Sequence, residues 1–536
     1  MRRPALGRVL LVLVVLAVAV PFIAVLSTTF GGSLATGLDT ASPWARILGS
    51  RRTWRVIALT IGQAVGSTAV TVVIGIPVAY TLARYRFFGR SVLATLAVVP
   101  FVLPSVVVGA AFASIFGARG VLDGRGSWWL IIAAHVCFNI SVVVRTVGAA
   151  IERGGGDSEA AARLLGRSGF ATFREVTLPR VASSIAASAV IVFLFSLTSF
   201  GVIVILGGGS VTTIEVEIWV RATRQFDISG AAVLSALQLI AVASTLAADI
   251  AIARHSKVST LPSEVRRQRP SEPLAKALVI TSVLSIVLIC GVPLAALAFR
   301  SLQVPGGLGL DNWTSLGSVL EGTDMTTSPI SATINSLRTS MLVSLLTVAL
   351  ALPTARYLAT RRGRVEQGLV LLPLGVSATT IGLGLLIAFG RPPVDLRGSG
   401  LLIPLAQLLV ALPLVTRVMV PPIRSLDRAQ LDAAEMLGAV GPTRFWRVDL
   451  PHLRTALRSA AALGFVVCLG EFGATVFVSR GDEVTMPVLL QQLMSRPGGV
   501  GYGQSMAVGV LMVVVCGVVL WIADRMGSSG ATVMTG

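Results

Sequence analysis

Lysine is almost missing from this sequence: Lys257 and Lys276 are the only two among 536 residues. Ser256 and Ala275 precede them. Neither lysine has the Gly-Lys-Ser/Thr setting of a phosphate-cradling loop, in which lysine reaches the β- and γ-phosphates. The chain therefore cannot hydrolyse ATP through such a loop. Histidine is also scarce, and His135, His255 and His452 are too scattered to suggest a metal site. Cys137, Cys290, Cys468 and Cys516 lie singly in apolar runs, which fits small packing residues and no disulfide framework. No nucleophile–base spacing stands out, so no catalytic residue is assigned. Charge is thin as well. Only 13% of residues are charged, against about a quarter in a soluble domain. That composition excludes a soluble enzyme.

What fills the chain is apolar: 54% of residues are hydrophobic. A membrane-spanning helix needs about 20 such residues. Twelve stretches qualify: 9–26, 56–83, 92–116, 128–149, 182–206, 231–253, 275–299, 335–359, 367–390, 401–420, 456–478 and 504–524. The runs are unbroken, whereas barrel strands would alternate over about 10 residues. The fold class is therefore an all-α membrane protein. The basic start and apolar run of 1–26 look like a signal peptide, but they lack a small-x-small cleavage site and further spans follow. They are read as an uncleaved first helix.

The net charge of +19 would suit a nucleic-acid partner, but its placement argues for lipid. Arginines gather in 1–8, 84–90, 254–276 and 356–364, which twelve spans place on one side. By the positive-inside rule that side is the cytoplasm, and the N-terminus lies there too. Arg46, Arg51, Arg52 and Arg55 break the pattern. The expected location is the bacterial cytoplasmic membrane.

The sequence repeats itself. "EAAARLLGRSGFATFREVTLP" (159–179) and "LDAAEMLGAVGPTRFWRVDLP" (431–451) align without gaps at an offset of 272 residues. At that offset Arg145 meets Arg417, Phe193 meets Phe465, and Phe200-Gly201 meets Phe472-Gly473. With a small shift, Pro77 meets Pro353 and Pro100 meets Pro373. Each half thus carries six spans in one order, a parallel duplication. The halves are 1–253 and 275–536, joined by a polar, proline-containing linker at 254–274.

The repeated charged segments, within 151–180 and 421–455, read as helix–turn–helix units at the cytoplasmic surface. "LDAAEMLG" is rich in helix formers and Gly438 closes it. Thr443 is placed to cap a second short helix, and Leu450-Pro451 leads into the next span. Ala433 and Ala434 leave a face that another protein can approach closely. A single copy would equally suit an amphipathic helix resting on the bilayer. Two copies with the same glycine and Leu-Pro positions favour a partner with two equivalent sites.

These residues resemble the signature loop of permease subunits of binding-protein-dependent ABC importers, E-A-A-x(3)-G-x(9)-I-x-L-P. The second copy matches at Asp432, Ala433, Ala434, Gly438, Val448, Leu450 and Pro451, with Asp for Glu and Val for Ile. The first matches at Ala161, Ala162, Gly166, Val176, Leu178 and Pro179. Its acidic position holds Ala160, and Glu159 stands one residue early. One step on a helix is about 100° of rotation, so Glu159 should point away from the direction of Asp432. The resemblance implies a type I importer permease fold, with about twelve helices in two parallel six-helix halves. It implies that these loops dock on a separate ATP-binding subunit, two copies of it because both halves are fused. It implies ATP and Mg on that partner, no cofactor on this chain, and an extracytoplasmic substrate-binding protein. The fused form is similar to thiamine and ferric-iron permeases, and segments 198–227 and 485–498 favour the thiamine type.

Ionisable residues inside spans are costly. Glu471 is the clearest, with Ser199 as its counterpart; both precede Phe-Gly in the fifth span of a half. Glu471, Ser199, Asn139 and Thr198 are the candidate pathway residues, with Ser196 and Gln238 as weaker ones. An acid there would suit a cationic substrate. Twelve spans in two parallel halves also fit a secondary transporter, but such a carrier has no reason to repeat a docking loop. A membrane scaffold would explain the loops but not Glu471.

Overall fold

The computed structural model describes residues 4–31, 42–117, 120, 122–124, 126–154, 156–255, 267–319, 325–360, 377–391, 394–396, 398–481, 483–496 and 501–526. Most of the expected linker, Pro373, and residues 367–376 of the ninth expected span lie outside them. Among the described residues helices dominate; the strands are two short antiparallel pairs, Gln303–Val304 with Gly307–Leu308 and Gly390–Arg391 with Val394–Asp395. Helices dominate because a backbone in hydrocarbon must satisfy its own hydrogen bonds.

In chain order the helices are α1 (Pro4–Gly31), α2 (Arg51–Arg84), α3 (Arg90–Val102), α4 (Ser105–Phe116), α5 (Trp128–Arg153), α6 (Asp157–Leu164), α7 (Gly169–Leu197), α8 (Gly201–Leu206), α9 (Ile214–Thr223) and α10 (Ile228–His255). There follow α11 (Pro273–Ser301), α12 (Pro329–Thr360), α13 (Ala378–Ala388), α14 (Leu402–Arg424), α15 (Arg428–Met436), α16 (Pro442–Gly470), α17 (Thr475–Val478), α18 (Met486–Met494) and α19 (Tyr502–Met526). Among the described residues nine are long and apolar enough to cross a membrane, ten if α3 and α4 form one broken span. The other two expected spans coincide with α1 and α13, whose described apolar stretches are the shorter Ala19–Thr29 and Ala378–Ala388.

Three expected spans are not single straight helices. The stretch 92–116 bends by 111° between α3 and α4. Leu103 is extended there (φ −71°, ψ 148°) because the residue before Pro104 avoids the helical region. The stretches 182–206 and 456–478 stop at Leu197 and Gly470 and resume as α8 and α17. Both also begin earlier than expected, since the second short helix of each charged segment runs on into the span as α7 or α16. A wide π turn makes that continuity possible. Leu178 N–H donates to Phe173 O and Leu450 N–H to Phe445 O, five residues back. Pro179 and Pro451, which have no N–H to give, follow at once.

The chain packs as two compact units. The first holds 48–217 and 237–309; the second holds 1–47, 218–236 and 310–536. The first helix of each sequence half thus belongs with the later helices of the other half. In the first unit α11 packs on α2 and α4; in the second α1 packs on α12 and α13. Repeat-equivalent residues fill both cores. Ala79, Val143 and Val147 are buried between α2, α5 and α7, and Ala355, Val415 and Met419 between α12, α14 and α16. Arg46 and Arg52, which broke the one-sided charge pattern, are paired. In the second unit Arg46 meets Asp227 at 2.9 Å; in the first, Arg52 meets the buried Glu217 at 2.9 Å.

The repeated Phe-Gly pairs mark close approaches. A Cβ on Gly201 would lie 2.4 Å from Ser105 Oγ and 3.0 Å from the Val106 nitrogen, at the start of α4. A Cβ on Gly473 would lie 2.8 Å from Ala378 Cβ, at the start of α13. Gly201→Val and Gly473→Val should each destabilise by about 1–3 kcal/mol through overpacking. Gly517→Val, at a helix position open to its surroundings, should be nearly neutral. Thermal unfolding of the detergent-purified variants checks this, and equal midpoints for all three would contradict it.

Asp227 yields a pH-dependent expectation. Burial pushes its pKa up, but the Gly230 N–H and the Arg46 and Arg221 guanidiniums outweigh burial and hold it below the usual carboxylate value. The stabilisation is fully present above the pKa of an unfolded aspartate and is lost as the pH falls through the lower folded value. Asp227→Asn should lower the unfolding midpoint at neutral pH, and the gap to the parent should close only below about pH 4. A gap that is constant with pH would contradict the ion-pair origin.

Candidate functional site

Two surface segments and two interrupted helices carry the residues singled out by the sequence. The segments are duplicated in detail. α6 ends at Leu164 and α15 at Met436, and Gly166 and Gly438 then adopt φ +80°. Arg167 N–H donates to Ala162 O (3.1 Å) and Ala439 N–H to Ala434 O (2.9 Å). Gly166 N–H reaches Arg163 O and Gly438 N–H reaches Glu435 O, both at 3.0 Å. This left-handed closure satisfies the last carbonyls and requires a residue without Cβ strain. The two starts differ. Asp427 accepts from Ala429 N–H at the head of α15. α7 is capped by Ser168, which accepts from Ala171 N–H (3.3 Å), whereas α16 begins after Gly441 with Pro442 in its first turn. Thr443, expected as that cap, lies inside the helix, because proline at the first turn moves the boundary back.

Exposure follows the same register. Ala160, Ala161, Asp432 and Ala433 are exposed; Ala162 and Ala434 are half-buried. Leu164 and Leu165 are 89% and 85% exposed, and Met436 and Leu437 are 89% and 88% exposed. Each turn thus holds two large apolar side chains in the open, on a scaffold that gives them nothing to pack against. Paired exposed apolar side chains of this kind suit contact with another apolar surface, protein or membrane.

Glu159 behaves differently from Asp432. It is buried, its Oε1 2.7 Å from Arg84 Nη2 and 2.8 Å from the donating Thr177 hydroxyl. Removing one partner of such a pair costs about 3–5 kcal/mol. Leu178 and Pro179, and Leu450 and Pro451, lie in the first turns after the π turns, where they set the entry into α7 and α16.

The interrupted helices hold the candidate pathway residues. In the first unit Ser199 Oγ is 2.8 Å from His135 Nε2, and Ser67 Oγ is 3.0 Å from His135 Nδ1. Asn139 Nδ2 donates weakly to Ser196 Oγ (3.4 Å), Gln63 Nε2 to Ser196 O (2.7 Å) and Gln238 Nε2 to Leu197 O (3.2 Å). These contacts gather on the C-terminal turn of α7. Thr198 instead donates to Leu194 O (3.0 Å), within its own helix. Among the described residues Asn139 Oδ1, Gln63 Oε1 and Gln238 Oε1 lack a protein partner. In the second unit both Glu471 oxygens accept backbone N–H groups, from Ala474 (2.7 Å) and Thr475 (2.9 Å). Glu471 thereby caps α17 across the break.

His135, too far from the other histidines in sequence to suggest a metal site, sits at the centre of the first cluster. The signal was its repeat partner Gln407, whose Nε2 donates to Cys468 O (3.0 Å) in the second unit. A polar residue at the same place in both halves was the clue. Glu215 and Glu217 were also passed over. Both are buried in the first unit, Glu215 against Gln238 Nε2 (3.1 Å).

The sequence is similar to that of known proteins. Residues 72–257 match the family described as the binding-protein-dependent transport system inner membrane component. A thiamine transport system permease protein of Brucella abortus is 28% identical, covering 95% of this chain and 94% of its own. The thiamine transport system permease protein of Escherichia coli is 26% identical over 84% of this chain and 85% of its own. A probable ABC transporter permease protein of Sinorhizobium fredii is 24% identical over 86% and 84%. The alternative of a secondary transporter finds no support among these matches. The matched family covers the first surface segment with its neighbouring helices, the relatives extend over both halves, and the chain is thus similar along its length to permease proteins of binding-protein-dependent transport systems.

Proposed function

We propose that this permease imports thiamine, powered by two copies of a separate ATP-binding subunit that dock on its two surface segments. The observation that supports docking is the duplicated turn. Leu164-Leu165 and Met436-Leu437 are exposed at one register, each held by a left-handed glycine. Two similar exposed faces on one chain fit a partner of two-fold symmetry. Ala161, Ala162, Ala433 and Ala434 keep the docking face low, and Asp432 offers it a charge. ATP and Mg belong to the partner, and an extracytoplasmic binding protein delivers the substrate. The N-terminus and both segments lie on the cytoplasmic side, in keeping with the arginine distribution. The substrate follows from the names of the full-length relatives, thiamine transport permeases from several bacteria.

Docking is tested by Leu437→Asp and Leu165→Asp in the full complex. Each should cut recovery of the ATP-binding subunit with the purified permease about tenfold, the scale of about 1.4 kcal/mol. Undiminished recovery with both changes combined would refute the docking role. The substrate is tested by uptake in a thiamine-requiring strain lacking its own transporter. Labelled thiamine should enter only when the permease, ATP-binding subunit and binding protein are all present, and ferric iron should not enter. Iron uptake without thiamine uptake would reverse the assignment.

A further inference from the structure

The two surface segments share a left-handed closing turn and a π turn but differ in how each is tied to its long helix. In the first unit the guanidinium of Arg84, at the end of α2, reaches Glu159 on α6 at 2.7 Å. Thr177, in the π turn, donates to the same carboxylate oxygen at 2.8 Å. The repeat puts Leu431 at the place of Glu159 and Thr360 at the place of Arg84. The second unit nonetheless has its own pair. Arg356, one turn earlier on α12, meets Asp449 in the π turn at 2.5 Å, and Arg444 stands 3.7 Å from the other oxygen. Arg356 occupies the place of Tyr80, and Asp449 that of Thr177.

The ring contact beside the pair is kept in altered form. Tyr80 meets Phe173 edge-on with centroids 5.4 Å apart, and the Arg356 guanidinium lies 4.7 Å above Phe445. Acid and base have therefore both changed position: the arginine stays on the long helix, while the acid moves from α6 to the π turn that opens α16, the place of Thr177, which in the first unit donates to Glu159. In each unit a carboxylate of the coupling segment, 8% exposed in Glu159 and 5% in Asp449, is held by an arginine of the long helix. A contact kept only for stability could equally have been replaced by apolar packing. Keeping it through a change of both residues points to a requirement on the connection itself.

We infer that Arg84–Glu159 and Arg356–Asp449 are positioning links that pass movement of each coupling segment to its long helix, whichever position bears the acid. The inference rests on the docking role proposed above. A salt link with a hydrogen-bonded carboxylate is stiff, because displacing either partner leaves a charge unpaired away from water. Without it, the segment can follow the ATP-binding subunit while the long helix lags. ATP would then be spent with less substrate moved.

The test uses the full chain with its ATP-binding subunit and binding protein in proteoliposomes. The readout is labelled thiamine taken up per phosphate released. Misfolding removes active complexes and lowers both quantities together, so their ratio separates a transmission role from a structural one. Glu159→Leu should lower the ratio about tenfold, the scale of a lost charge-assisted hydrogen bond. Combining Glu159→Leu with Thr177→Asp puts the acid where the second unit has it and should restore most of the ratio. Glu159→Gln keeps the shape and gives the same reading if Glu159→Leu assembles poorly. An unchanged ratio in Glu159→Leu and Glu159→Gln would overturn the inference, and so would a loss that Thr177→Asp does not repair. Failure of the docking role itself would look different, since Leu165→Asp combined with Leu437→Asp would then leave recovery of the ATP-binding subunit unchanged.

Discussion

The structure depends on one constraint: inside a bilayer a free backbone N–H has no water to turn to. This protein nevertheless interrupts its helices, and at several of the restarts a specific side-chain oxygen takes up a backbone N–H. Thr60 Oγ1 accepts Ile214 N–H at the start of α9 (2.9 Å), and Ser336 Oγ accepts Met486 N–H at the start of α18 (2.7 Å). Ser377 accepts Thr380 N–H (3.3 Å) at the start of α13. Glu471 takes two N–H groups at once. The buried polar residues are therefore first of all the means by which broken helices survive in lipid. Breaks in turn let non-helical backbone and polar side chains meet at membrane depth, where a transport pathway needs them.

Duplication preserves these devices with different residues. The hydroxyl on the long helix is threonine in one unit and serine in the other. The residue before Phe-Gly is Ser199 beside His135 in one unit and Glu471 on backbone donors in the other. The arginine–carboxylate contacts of the surface segments vary further: the arginine stays on the long helix in both units, and the acid lies on α6 in one and in the π turn of α16 in the other. The glycines at 166, 201, 438 and 473 are kept in both halves because backbone conformation or contact leaves no substitute.

Much of this was legible in the sequence. Apolar runs marked the helices, and the 272-residue offset marked the duplication and both surface segments. The left-handed turns followed from Gly166 and Gly438. The breaks were not legible, because Leu103-Pro104 and Glu471 lie in runs whose hydropathy never dips enough to separate two helices. The membership of α1 and α11 was hidden for another reason: periodicity identifies a helix but not its neighbours. The inward turn of Glu159 was legible as a one-residue shift, but its partner Arg84, 75 positions away, was not. Arg46 and Arg52 looked like exceptions to the charge rule because Asp227 and Glu217 are far along the chain.

The central claim is that one chain presents two equivalent docking turns. Single-particle imaging of the assembled transporter tests it most directly. The account predicts two ATP-binding subunits per permease, one seated on Leu164-Leu165 and the other on Met436-Leu437, with Arg84–Glu159 and Arg356–Asp449 intact behind them. A complex with one ATP-binding subunit, or with both seated away from these turns, would contradict it.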